Sequence, residues 1–227
     1  MKTARVGLFL ALVLALVGVD AEARAPLVRD LVYAYNGNHL VGHVVNIYGD
    51  KAEVRWERYN GADYTGARTY WALSRLSVES NCYGAVCLGG KVYVSHGGHK
   101  YVGTVQHVFE NGRSEVLWEL VDGVVSVFPA FGYWSADQLS YETSCLLQLC
   151  AGDQVYFNLS LVGGRDTDYV GTIDRFFTGG GIDHGTEGQG VAEITYEREN
   201  GVAVSGVADG YWHTTYLHQR TAGDGRK

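Results

Sequence analysis

Apolar and polar positions alternate along this chain in a pattern that returns three times. Val54 and Trp56 alternate with Glu53, Arg55 and Glu57; Val116 and Trp118 alternate with Glu115 and Glu119; Ile194 and Tyr196 alternate with Glu193, Thr195 and Glu197. A period of two is that of a half-buried strand, so strands are predicted over 52–58, 114–120 and 192–198. Each is followed by a turn pair that tolerates positive φ: Asn60-Gly61, Asp122-Gly123 and Asn200-Gly201, the chemistry of a tight hairpin. Upstream, Val32-Tyr33, Val92-Tyr93 and Val155-Tyr156 open strands at 31–35, 91–95 and 154–159. Gly42-His43-Val44, Gly103-Thr104-Val105 and Gly171-Thr172-Ile173 fall in second strands at 41–48, 101–109 and 169–177. Each block closes on Tyr-Trp and a later Leu: Tyr70-Trp71 with Leu76, Tyr133-Trp134 with Leu139, Tyr211-Trp212 with Leu217. A fourth strand is expected to reach the Tyr-Trp pair, then one turn of 3₁₀ helix and a short last strand. A fixed order of signals returning about every 60 residues describes an array of like units. What recurs is expected to make the fold, and what differs to make the function.

Five short antiparallel strands in about 55 residues suit a small bent barrel with few open edges. The order of V-Y, G-x-V, an alternating third strand, Asn/Asp-Gly, then Y-W and Leu resembles the SH3-like barrels: bacterial SH3, Tudor and Agenet-type modules. The resemblance covers all three blocks. It implies an all-β fold of three tandem five-stranded barrels, at 26–82, 83–145 and 146–220, the third carrying Gly-rich acidic insertions. Residues 221–227 read as a disordered tail. Bacterial SH3 modules are typically exported and bind cell-wall glycopeptide or protein, and Tudor-like modules typically use an aromatic cage; these residues fix neither ligand.

Residues 1–25 read as a secretory signal: Lys2 and Arg5, an apolar run from Val6 to Val19, then Ala21-Glu22-Ala23. No later run is long and apolar enough to span a bilayer, so the protein is expected to be secreted or periplasmic and not membrane-embedded. The four cysteines agree. Cys82 and Cys87 lie between the first and second blocks, and Cys145 and Cys150 between the second and third. Paired cysteines in an exported chain favour disulfides, and local pairs are the economical connection. A four-cysteine zinc site is the rival, but its C-x4-C spacing is wider than usual.

Charge is uneven. Residues 25–82 carry six basic and six acidic side chains, 83–144 three against six, and 145–220 four against ten. An acidic array repels phosphate backbones, so nucleic acid is not an expected partner.

The candidate chemistry lies in aromatics and loops. The recurring Trp71, Trp134 and Trp212 read as core, each tied to its closing Leu. Tyr70, Tyr133 and Tyr211 should face the other way, as should Tyr33, Tyr93 and Tyr156 beside their inward Val. These six are the groove candidates. The glutamates at Glu53/Glu57, Glu115/Glu119 and Glu193/Glu197 sit about 13 Å apart along a strand, too far for paired acid–base work, and read as a solvated face. His96, His99 and His107 lack an evident third metal ligand beyond the hairpin pair, and no metal or other cofactor is expected. The third block carries loop candidates Asp166, Asp168, Asp183, His184 and Glu187, where specificity is commonly placed; no calcium-loop pattern is present. Asn158-Leu159-Ser160 is a glycosylation sequon in a eukaryotic host. No G-x-S-x-G, H-E-x-x-H or P-loop occurs. The reading is a non-enzymatic exported binding or scaffold protein, recognising cell-wall polymer or extended protein segments through several aromatic grooves. The alternatives are a secreted inhibitor or accessory subunit docking a partner protein through the third block's loops, and a hydrolase with a site between units.

Overall fold

A computed structural model describes residues 23–160, 166–180, 190–204 and 210–219. The leader expected over 1–25 therefore lies outside the described residues up to residue 22, and the tail at 221–227 lies outside them altogether. The described chain is all β apart from three 3₁₀ turns, and none of its helices is long and apolar enough to cross a membrane.

The first repeat forms β1 (Leu31–Tyr35), β2 (His39–Tyr48), β3 (Lys51–Tyr59), β4 (Arg68–Ala72) and β5 (Ser77–Ser80). The second forms β6 (Lys91–His96), β7 (His99–Phe109), β8 (Arg113–Val121), β9 (Val124–Ser135) and β10 (Ser140–Thr143). The third forms β11 (Gln154–Ser160), β12 (Asp166–Gly179), β13 (Val191–Glu199), β14 (Gly210–His213) and β15 (His218–Gln219). All pairings are antiparallel. The order is β4-β3-β2-β1-β5 in the first repeat, with the same order in the second and third. Among the described residues these strands do not close into a barrel.

Local causes are visible at each turn. Asn60 and Gly61 adopt φ of 48° and 81°, Asp122 and Gly123 52° and 79°, and Asn200 and Gly201 48° and 78°, the doubly left-handed turn that matches strand twist. Gly42, Gly103 and Gly171 each sit at a register shift between the second and third strands. A β-carbon on Gly42 would lie 2.3 Å from the Arg55 carbonyl oxygen, and one on Gly103 2.4 Å from that of Leu117, so only glycine lets the strands cross this closely. The 3₁₀ turns fall at Leu73–Arg75, Ala136–Gln138 and Thr214–Tyr216, between each Trp and its closing Leu.

Each repeat has its own interior. Val32, Ala34, Val44, Val54, Trp56 and Val78 fill the first; Val92, Val94, Val105, Val116, Trp118 and Leu139 the second; Val155, Phe157, Ile173, Phe176, Ile194 and Leu217 the third. Cys82 bonds Cys87 and Cys145 bonds Cys150, each pair clipping a two-stranded hairpin. These hairpins insert Val86 and Leu149 into the second and third interiors.

The connections between repeats are more than clipped linkers. β5 pairs with β1 on one edge and with β7 on the other, Glu79 opposite Phe109 and Ser80 opposite Val108. β10 likewise pairs with β6 and with β12. Sharing these rungs joins the repeats into one sheet of 17 strands, counting the short Ala62–Asp63 and Val202–Ala203 strands that pair with β3 and β13. Two further apolar clusters seal the joints. Tyr33 and Val41 meet Phe109 and Tyr133 at the first; Tyr93, Val102 and Leu120 meet Phe177, Val191 and Tyr211 at the second.

Candidate functional site

The two joints redraw the list of groove residues. Tyr33, Tyr93 and Tyr211 are buried, and Tyr133 is half-buried in the same cluster as Tyr33. They do point away from their own interiors, as strand alternation requires, but the neighbouring repeat covers them. At the first joint the Tyr33 ring lies 5.3 Å from Phe109, and His39 stacks on Tyr133 at 4.5 Å and 5°. At the second, Tyr93 lies 5.6 Å from both Phe177 and Tyr211. These four tyrosines hold repeats together. Tyr156 is half-buried and donates to Asp168 at 2.6 Å. Tyr70 is 64% exposed and borders a groove.

The glutamates divide in the same way. Glu115 is fully buried and accepts a hydrogen bond from Tyr133 at 2.6 Å, with the Arg58 Nε at 3.6 Å and the His107 Nε2 at 3.7 Å. Glu193 is equally buried, with Tyr211 donating at 2.9 Å and Arg175 Nε at 2.5 Å. The solvated face expected for them does not hold, because strand alternation turns them into the joints. Burial next to this carboxylate, and the hydrogen bond to it, push the Tyr133 hydroxyl well above the usual tyrosine pKa. Glu119 and Glu197 instead tie the first two strands together, Glu119 through Lys91 and Thr104, Glu197 through Gln154 and Thr172.

The groove lies at the mouth of the first repeat and measures about 450 Å³. Half-buried Trp71 from β4 forms its floor, backed by the buried Trp56 of β3, their rings 5.5 Å apart and crossed at 78°. Thr69 sits between them and accepts from both indoles, at 2.6 Å from Trp56 and 2.8 Å from Trp71. Tyr59 and Tyr64 face each other across the hairpin at 5.8 Å and complete one wall. The Arg75 guanidinium lies 5.1 Å over the Trp71 ring and is the only charged side chain lining the groove. Thr69 satisfies both indole N–H groups, so the polar groups left in the lining are Asn36, the tyrosine hydroxyls and Arg75. No carboxylate, histidine or cysteine lines it.

The corresponding mouths of the other repeats are built differently. Position 34 is Ala, and its counterparts are Val94 and Phe157. Phe157 packs 4.7 Å from Trp212, 5.2 Å from Tyr169 and 5.9 Å from Tyr196, so the third interior holds a ring where the first holds a methyl group. Thr69 is replaced by Gly132 in the second repeat, where a β-carbon would meet Trp118 Nε1 at 2.6 Å and Trp134 Nε1 at 2.9 Å. The second pair of indoles, at 5.9 Å and 88°, has closed over the position that Thr69 props open in the first.

The loop candidates are only partly in view. Asp183, His184 and Glu187 lie outside the described residues, as does the side chain of Asp166. Asp168 is exposed and accepts from Tyr156 and Asn158 at 2.6 Å each, which anchors the β11–β12 hairpin. The three histidines go separate ways: His96 packs edge-on against Trp134, His99 pairs with Asp122 at 2.7 Å, and His107 pairs with Glu79 at 2.5 Å. No group of three metal-ligating side chains occurs among the described residues. Comparison of the chain with protein-family models, with curated proteins and with solved structures gave no match.

Proposed function

We propose that this is an exported, non-enzymatic binding protein of three tandem SH3-like modules. Its first module holds an extended polymer, a cell-wall glycan or an unstructured protein segment, against aromatic side chains. The observation that carries the reading is the groove of Trp56, Trp71, Tyr59 and Tyr64, open at about 450 Å³ and crossed by one cation. Aromatic floors with sparse polar groups suit sugar rings or the flat faces of an extended peptide. A lining without carboxylate, histidine or thiol offers no acid–base pair or nucleophile, which favours binding over hydrolysis. The two disulfides favour an oxidising compartment, in keeping with the leader-like start of the sequence. On this reading recognition is confined to the first groove, supported by the added Phe157 ring in the third repeat and by the indoles that crowd Gly132 in the second. The second and third modules then act as a rigid extension that displays the first.

Retention on purified cell wall and on urea-unfolded envelope protein tests this. Wild type should be retained on one of them. Tyr64→Ala should weaken retention by about 30-fold, the size of an aromatic hot spot, with an unchanged melting temperature because Tyr64 is exposed. Deletion of residues 181–189 should leave binding intact. Loss of binding on that deletion, with Tyr64→Ala behaving as wild type, would move the site to the third module's loops.

A further inference from the structure

The same joint is built twice inside the chain, and its two halves recur on the end repeats. The half contributed by the later repeat is an aromatic at the end of the second strand, a glutamate opening the third, and the tyrosine before the tryptophan: Phe109, Glu115 and Tyr133 at the first joint, Phe177, Glu193 and Tyr211 at the second. In the first repeat these positions are Tyr48, Glu53 and Tyr70. No described repeat covers this face, and Tyr48 and Tyr70 are 55% and 64% exposed, their rings 6.0 Å apart. The half contributed by the earlier repeat at the first joint is Tyr33, Val41 and Arg58, the last reaching Glu115 at 3.6 Å and lying 3.9 Å over the Phe131 ring; at the second it is Tyr93, Val102 and Leu120, and Glu193 pairs with Arg175 of its own repeat. In the third repeat these positions are Tyr156, Val170 and Arg198, with Val170 half-buried and Arg198 exposed.

We infer that the protein associates head to tail with further copies of itself, the Tyr156/Val170/Arg198 face of one copy docking on the Tyr48/Glu53/Tyr70 face of the next. The occupant is specified by the chain: the docking would extend an interface that the fold already uses twice, and Arg198 would join Arg68, 3.5 Å from Glu53, in repeating the charge pairing of Arg58 with Glu115 at the first joint. The two faces differ, so the contact is heterologous and passes from copy to copy without the self-limiting symmetry of a two-fold dimer. It should be weaker than the internal joints. Tyr48 brings a hydroxyl, hydrogen-bonded to Asn46 at 3.2 Å, to the place where Phe109 and Phe177 bring none. Asp168 stands where His39 stacks on Tyr133 and where Lys100 donates to the Tyr211 carbonyl at 3.0 Å. No shared strand or covalent link holds two copies together. Reversible, concentration-dependent association is the expected form.

Sedimentation velocity of the purified protein over a range of concentrations, with a charge swap, tests the inference. Wild type should grow beyond a dimer as concentration rises. Glu53→Arg and Arg198→Glu should each weaken association at least about tenfold, as expected for a charge reversal at a docked pair. An equimolar mixture of the two should recover it, because every contact in the mixture can then pair opposite charges. Tyr48→Arg, at an exposed position, serves in place of Glu53→Arg if that variant melts early. A wild type that stays monomeric throughout overturns the proposal. So does an assembly that stops at a dimer, single variants that associate like wild type, or a mixture that fails to recover.

Discussion

Phe109→Ala is the perturbation that weighs the joints most clearly. Phe109 lies at the end of β7 but takes no part in the interior of its own repeat; it is fully buried against Tyr33 and Val41 of the repeat before it. Truncating a buried phenylalanine costs about 3–5 kcal/mol, counting lost transfer energy and the cavity left behind. Tyr48 occupies the same position in the first repeat, 55% exposed and covered by no described repeat, and its truncation should stay within about 0.5 kcal/mol. The two substitutions are alike in chemistry and in local strand geometry, so the difference of about 2.5 kcal/mol or more belongs to the neighbour. Urea denaturation followed by tryptophan fluorescence measures the cost. Calorimetry should show the wild type melting cooperatively and Phe109→Ala melting in two steps as the first repeat uncouples. A cost below about 1 kcal/mol for Phe109→Ala, or an equal cost at Tyr48, would refute the reasoning.

Three further outcomes are expected. Glu115→Ala strips a buried carboxylate from Tyr133, Arg58 and His107 and should cost about 3 kcal/mol, whereas Glu119→Ala, at a half-exposed pair with Lys91, should cost less than about 1 kcal/mol; urea midpoints separate the two. Burial, aided by the Arg113 charge, lowers the His39 pKa, so its contribution is present above the ordinary value near 6.5 and is lost as pH falls through the folded value. The raised Tyr133 hydroxyl acts oppositely: its contribution is whole below the ordinary value near 10 and fades above it. Melting temperature against pH should therefore fall on both the acid and the alkaline side, and His39→Phe should flatten the acid limb. Thr69→Val removes the acceptor shared by two indoles and should cost about 1–2 kcal/mol, with a change in tryptophan emission as the groove floor rearranges.

What was legible in the sequence had a local cause written three times. Alternation gave the third strands, Asn-Gly and Asp-Gly their hairpins, and the interval from Trp to Leu the 3₁₀ turn. Cysteine spacing gave the disulfide pairs. What lies opposite an outward face was not legible. Alternation shows that Tyr33, Tyr93, Tyr133, Tyr211, Glu115 and Glu193 leave their own interiors, but strand periodicity carries no information on whether water or another repeat meets them. The groove was missed for the converse reason. Tyr59, Tyr64, Thr69 and Arg75 do not recur, and a search for recurring aromatics passes over them. The series Ala34, Val94, Phe157 was the available signal that the three interiors, and so the mouths above them, are not packed alike.

The central claim is that one mouth of three takes the ligand, and the five tryptophans report on it directly. Their indole N–H resonances can be followed by NMR as solubilised wall fragments, or unfolded envelope peptides, are added. Shifts concentrated at Trp56 and Trp71, with Trp118, Trp134 and Trp212 unmoved, are the expected result. No shift with either ligand, or a larger shift at Trp212 than at Trp71, would contradict it.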